Sequence, residues 1–189
     1  MKNPCFFGYG SLVNRATHRY PNAQKARANG WKRAWVHTAE RPFAFLTAIR
    51  APGEQIEGLT AEVPNADWIA LDEREHAYDR ITDSDNIEHG HPPQTEVAIY
   101  AVPAKAHADV TDRHPILLSY LDVVVQGYLQ EFGRDGAERF LRSTDGWDAP
   151  ILNDRVAPIY PRHQLLTSFE KDVVDAALRS LGSTLIERD

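Results

Sequence analysis

Cys5-Phe6-Phe7-Gly8-Tyr9-Gly10-Ser11-Leu12 is an apolar, aromatic run that breaks at once into a Gly-Tyr-Gly-Ser turn. The run, Cys5 to Tyr9, reads as a first β-strand. Glycine allows positive φ and lets a ligand approach the backbone closely. A strand ending this way offers a row of backbone N–H groups, suited to a carboxylate, a phosphate or a developing oxyanion.

Outward from this run, the first half of the chain is strand-like. Trp31 to His37 and Phe43 to Ile49 read as strands separated by Glu40-Arg41-Pro42, and residues 57–63 as another. Ala51-Pro52-Gly53-Glu54 has turn chemistry, so residues 43–63 are expected to form a hairpin. A helix is expected from Asp67 to Tyr78, with Asn65 or Asp67 as its N-cap. Residues 83–93 read as a loop and Thr95 to Val102 as a strand. The second half is helical. After Pro115, the residues Ile116, Leu117, Tyr120, Leu121, Val124 and Tyr128 follow helical spacing. Asp135 to Leu141 reads as a short amphipathic helix. Thr167-x-x-Glu170 is a capping box opening a last helix to Leu181. Strands first and helices second argue an α+β fold.

The bulk properties bound the function. A chain of 189 residues fits one domain, 1–189, with a helical C-terminal extension over 143–189. Its net charge of −6 lacks the footprint of a nucleic-acid binder. The single cysteine, Cys5, allows no internal disulfide and no Cys-rich zinc site, and reads as an inert core thiol. The N-terminal apolar run is short for a signal peptide, and no segment is apolar enough to span a bilayer. A cytoplasmic protein with no membrane partner is therefore expected. The sequence assigns no oligomeric state.

At about 100° per residue, Trp68, Leu71 and Tyr78 share one face of the Asp67–Tyr78 helix, and Glu75 falls inside that stripe. Glu73, Arg74 and Ala77 point elsewhere. Burial disfavours the charged carboxylate, and a Glu so raised can accept and return a proton near neutral pH. The competing reading is a core carboxylate satisfied by Arg33, Arg80 or Tyr120. Other constellations are weaker. Gly8-Tyr9-Gly10 lacks the third glycine of a dinucleotide loop. Asp83, Asp85, His89 and His91 have metal-ligand chemistry but no recognised spacing. Ser11 lacks a nucleophile elbow and reads as a turn residue or ligand contact. Trp31, Trp35 and Trp68 read as core, and Arg33 and Arg50 as surface arginines.

Tyr9-Gly10-Ser11-Leu12 after the first strand, Gly30-x-x-Arg33-x-Trp35, Ile56-x-Gly58-Leu59 and Leu71-Asp72-Glu73-Arg74-Glu75 occur in this order. Together with the helix from Pro115 to Gly127, they resemble the gamma-glutamylcyclotransferase family over roughly residues 5–132. The resemblance implies a small mixed β-barrel flanked by helices. It implies an enzyme that cyclises a small-molecule γ-glutamyl substrate to 5-oxoproline and releases an amine or amino acid, without metal or organic cofactor. Glu75 is then the general acid/base. Tyr9, Gly10, Ser11 and Leu12 hold the substrate, and Tyr120 is a pocket residue. The alternatives are a non-catalytic binding module for small carboxylates on the same fold and a metal-dependent hydrolase built on residues 83–91. The leaving-group pocket is expected from loops such as 83–93 and from the unmatched C-terminal segment. Within that segment, Trp147 to Pro161 is expected to pack on the barrel rather than cap the pocket.

Overall fold

The computed structural model describes residues 3–39, 41–108 and 114–188; Glu40 of the expected Glu40-Arg41-Pro42 separator lies outside them. Among the described residues, ten strands and three α-helices follow in chain order. They are β1 (Cys5–Gly8), β2 (Gln24–Val36), β3 (Phe45–Glu62), α1 (Ile69–Arg74), β4 (Asp79–Thr82), β5 (Ile87–Glu88) and β6 (Val97–Ala101). Then come β7 (Ile116–Leu117), α2 (Leu118–Arg142), β8 (Thr144–Asp145), β9 (Ile151–Asn153), α3 (Ser168–Leu181) and β10 (Leu185–Glu187). A seven-stranded mixed sheet runs β4-β6-β1-β3-β2-β5, with β8 also beside β2. It curls into a half-barrel, so the fold is α+β as expected. Strands β10, β9 and β7 form a separate parallel sheet of three.

Strand β1 is buried on both faces, which explains its unbroken apolar sequence. Its side chains alternate. Cys5 and Phe7 enter the main core with Trp31, Leu59, Leu121, Val124 and Tyr128, while Phe6 joins Leu12, Val63, Leu71 and Tyr100 in a second core. Helix α2 supplies the wall of the main core. Leu121, Val124 and Tyr128 of the predicted stripe are fully buried, and Val123 and Val125 beside them are too. The Cys5 thiol is pushed up to about 12 by burial, as befits an inert core group.

The expected hairpin over 43–63 is not formed. Strand β3 runs straight through Pro52-Gly53 and stays antiparallel to β2 on both sides, with Trp31 opposite Arg50 and Asn29 opposite Gln55. Residues 51–54 thus face Gly30 alone and form a bulge in one long ladder. Helix α1 is shorter than expected and stops at Arg74, with Glu75 as its C-cap and Tyr78 beyond its end. The expected helix over 135–141 is instead the end of α2, which breaks and resumes at Gly133. The chain before α2 is extended over β7, and the 83–93 loop contributes β5 to the sheet. The predicted capping box forms: Thr167 Oγ1 accepts from Glu170 N–H, and Glu170 Oε2 accepts from Thr167 N–H. Among the described residues, no helix is long and apolar enough to cross a membrane.

Arg33 is not a surface residue. It is 1% exposed, and its guanidinium donates to Glu57 O, Tyr128 Oη, Ser143 Oγ and Thr144 Oγ1 while lying over the Tyr128 and Phe140 rings. These neutral acceptors and ring faces tie β2 to α2 beneath the turn that follows β1.

Candidate active site

The turn after β1 is a single 3-10 turn, Ser11–Val13. Its first internal bond runs from Val13 N–H to Gly10 O, 3.0 Å. The amides of Gly10, Ser11 and Leu12 precede that bond, as at a helix start. Neither Gly8 nor Gly10 has positive φ. Gly10 is needed for space instead: a Cβ there would lie 2.7 Å from the Tyr120 hydroxyl. That hydroxyl faces the Ser11 backbone N–H, and burial holds its pKa well above the usual tyrosine value.

Tyr9 serves the turn from beneath. Its hydroxyl donates to Tyr100 O (2.6 Å) and accepts from Ala48 N–H (3.0 Å), and its carbonyl accepts from Tyr128 Oη (2.9 Å). Its side chain is therefore fully committed to the scaffold. Leu12 is buried in the second core, and its carbonyl meets His18 Nε2 at 3.1 Å. The other ring nitrogen, His18 Nδ1, accepts from Tyr20 N–H (3.2 Å). Burial lowers the His18 pKa to about 4, so the ring is neutral with its proton on Nε2.

Glu75 sits opposite this turn. Its side chain is 15% exposed, and Arg74 Nε meets its Oε1 at 3.0 Å. Arg74, contrary to the helical-face expectation, is itself only 7% exposed. It also donates to Ser11 Oγ (3.1 Å), Thr17 O (2.9 Å) and Thr17 Oγ1 (3.2 Å). The helix ends at this point, so the 100° rule no longer fixes where residues 74 and 75 point. Burial raises the Glu75 pKa, and the positive charges of Arg74 and Arg162 only partly oppose it. The proposed core partners Arg33 and Arg80 are elsewhere; Arg80 pairs with Asp72 at 2.8 Å.

The turn and Glu75 line one cavity in two parts. An inner recess is bounded by residues 8–12, Tyr78, Tyr100 and Tyr120. An outer chamber of about 300 Å³ adds Arg41, Phe45, His76, Tyr160 and Arg162. Ser11, Leu46, Glu75, Tyr78 and Tyr120 border both, so the carboxylate stands at the junction. Tyr78 is held there by donating to Leu46 O at 3.0 Å, and the Tyr120 ring packs edge-on against Tyr160 at 5.0 Å. Sequence reasoning missed Arg74, Tyr160 and Arg162 in this cavity. Within residues 147–161, Trp147, Ala149 and Ile151 pack on the main core as expected, while Tyr160 and Pro161 also wall the chamber. The 83–93 loop is not part of either chamber.

No metal site forms in that loop. Asp83 is occupied by Asn86 Nδ2 (2.8 Å), Trp31 Nε1 (2.6 Å) and Arg50 Nη1 (2.9 Å). Burial alone would raise its pKa, but these donors outweigh it and hold the carboxyl below its usual value. His91 meets Thr60 Oγ1 and Gln24 Nε2. Among the described residues, no cluster of His, Cys, Asp or Glu is arranged to hold a metal ion.

A family model described as gamma-glutamyl cyclotransferase, AIG2-like, matches residues 6–120. The chain belongs to this gamma-glutamyl cyclotransferase family. The match ends at Tyr120, so Tyr160 and Arg162 of the cavity lie outside it. Solved structures share the family fold. YkqA from Bacillus subtilis superposes with a TM-score of 0.60 at 17% identity, over 77% of this chain and 57% of that one. This chain therefore spans little more than half the Bacillus protein. A structure titled gamma-glutamyl cyclotransferase gives a TM-score of 0.56 at 15% identity, over 93% and 99% of the two chains. An uncharacterized protein from Homo sapiens gives 0.53 at 14% identity, over the same shares. No curated protein sequence matches the chain.

Proposed function

We propose that this protein cyclises γ-glutamyl compounds to 5-oxoproline, with Glu75 as the group that moves the protons. The carrying observation is a buried carboxylate with raised pKa and an open face, at the junction of two chambers that it lines together with Ser11 and Tyr120. The glutamyl unit would sit at the mouth of the inner recess, beside Glu75, with its oxygens toward the Gly10–Leu12 turn and the Tyr120 hydroxyl. The leaving group would extend into the outer chamber. Glu75 takes a proton from the substrate's α-ammonium. The freed amine attacks the γ-carbonyl carbon, a new C–N bond closes the five-membered ring, and negative charge gathers on the carbonyl oxygen, where backbone donors stabilise it. The original amide C–N bond then breaks as Glu75 returns the proton to the departing nitrogen, and the extra proton left on the ring nitrogen passes to the released amine, which leaves as an ammonium. The products are 5-oxoproline and a free amine or amino acid. Because nucleophile and electrophile are tethered, the protein's main task is to hold a near-attack geometry. The sequence as written draws on no metal or organic cofactor.

Family membership supports this reading, as does the face that Glu75 leaves open to the cavity. We read residues 1–189 as a single domain in which 143–189 extends the family core and completes the outer wall. The test is 5-oxoproline release from γ-glutamyl-alanine. Wild type is expected to form it, and Glu75→Gln to lose it with the circular dichroism spectrum unchanged. Binding without turnover by the wild type would instead favour a carboxylate-binding module. Unfolding of Glu75→Gln would favour a structural role for the acid.

A further inference from the structure

The cations of the outer chamber are not equivalent. Arg74 is committed to Glu75, Ser11 and Thr17. Arg41 meets His76 Nε2 at 2.6 Å. Arg162 lines the chamber, half-buried, and among the described residues its guanidinium meets no carboxylate within ion-pair distance and donates no hydrogen bond. The acids on the same wall are Glu75 itself and the exposed Glu73. Arg162 is also firmly presented. Asp154 is 1% exposed and accepts from Ser119 N–H (2.7 Å), from the Ser119 hydroxyl, and from Ile159 N–H (2.8 Å). Tyr160 N–H in turn donates to Ser119 Oγ at 3.2 Å. Arg155 clamps the same segment to α2 and α3 through Asp122 and Asp175, both at 2.7 Å. The segment that carries Arg162 is therefore pinned to the first turn of α2 at Ser119, the residue before Tyr120.

We infer that the outer chamber selects a leaving group that carries a carboxylate, and that Arg162 is the specificity-determining residue that receives it. This rests on the cyclotransferase reading of the site. A planar guanidinium with free donors beside a partly enclosed chamber suits a carboxylate, which it binds through paired charge-assisted hydrogen bonds. The substrate class is then a γ-glutamyl amino acid or peptide with a free carboxylate, rather than a γ-glutamyl amine.

The test compares 5-oxoproline release from γ-glutamyl-alanine, γ-glutamyl-alaninamide and γ-glutamyl-ethylamine. The acid is expected to be preferred by about tenfold or more in kcat/KM, the size of one charge-assisted contact. Arg162→Met is expected to remove that preference, read as the ratio of kcat/KM for the acid to that for the amide and the ethylamine, since the charge it removes also acts on Glu75 and so shifts all three rates together. Equal use of all three by the wild type overturns the inference and leaves the cyclotransferase reading standing. So does an equal fall for all three in Arg162→Met. If none yields 5-oxoproline, the cyclotransferase reading fails, and calorimetry on Glu75→Gln still reads the selectivity. Tighter binding of γ-glutamyl-alanine than of its amide, lost in Glu75→Gln/Arg162→Met, supports the carboxylate site; equal or absent binding overturns it.

Discussion

Glu75 and Asp122 are two buried carboxylates with the same electrostatic signature and different surroundings. Burial raises the pKa of each, and an arginine opposes the shift in each. Asp122 is gripped on both oxygens by Arg155 at 2.7 Å, and Arg155 is gripped again by Asp175. Both Asp122 oxygens have a partner, and neither chamber reaches them. Glu75 has one ion-pair contact, at 3.0 Å, and its other side faces the cavity. A raised pKa therefore does not separate a working acid from a structural one. The open face does.

The largest expected difference lies in turnover. Glu75→Gln should lower 5-oxoproline release by about 10²–10⁴, the range for removing a general base, whereas Asp122→Asn should retain most of kcat. Initial rates on γ-glutamyl-alanine check both. Stability should divide in the opposite sense. Asp122→Asn leaves Arg155 half-paired and should cost about 3–5 kcal/mol in chemical denaturation.

Glu75→Gln should not lower stability at neutral pH. A carboxyl whose folded pKa is raised gives its full stabilisation below the ordinary value of about 4.3 and loses it as pH rises through the folded value. As pH rises through the folded value, wild type takes on an unfavourable buried charge that the glutamine lacks. The melting temperature of Glu75→Gln should equal or exceed that of wild type there, and the two should converge as the pH falls toward about 4.

Arg74→Met removes the nearest charge that opposes the burial of Glu75, so the acid limb of the pH–rate profile should move to higher pH. The smallest effect concerns His18, a closed group close to the site. Its folded pKa near about 4 lies below the ordinary value, so its contribution is complete above about pH 6.5 and is lost as pH falls through the folded value. Thermal melts of wild type over that window should fall more steeply than those of His18→Gln.

Legibility followed the range of the forces involved. The first strand, the apolar face of α2 and the Thr167–Glu170 capping box are local patterns, and they fold as they read. Pro52-Gly53 is also local, but whether it reverses the chain depends on pairing with β2 more than twenty residues earlier, and that pairing carries β3 straight on. Glu75 was legible because its neighbours Trp68, Leu71 and Tyr78 are apolar. Arg74 was not, since its burial depends on Ser11 and Thr17, far away in sequence. Arg33 reads as a surface residue until α2 brings Tyr128 and Ser143 to it. The outer wall was hidden for the same reason. Tyr160 and Arg162 reach the cavity only because Asp154 is bonded to Ser119.

The most direct test of the difference between the two carboxylates is the pH dependence of kcat/KM for 5-oxoproline release by the wild type. The account predicts an acid limb governed by one ionisation above the ordinary carboxylate value of about 4.3, moved upward by Arg74→Met and unmoved by Asp122→Asn. A limb at the ordinary value, or one that shifts with Asp122 and not with Arg74, would contradict it.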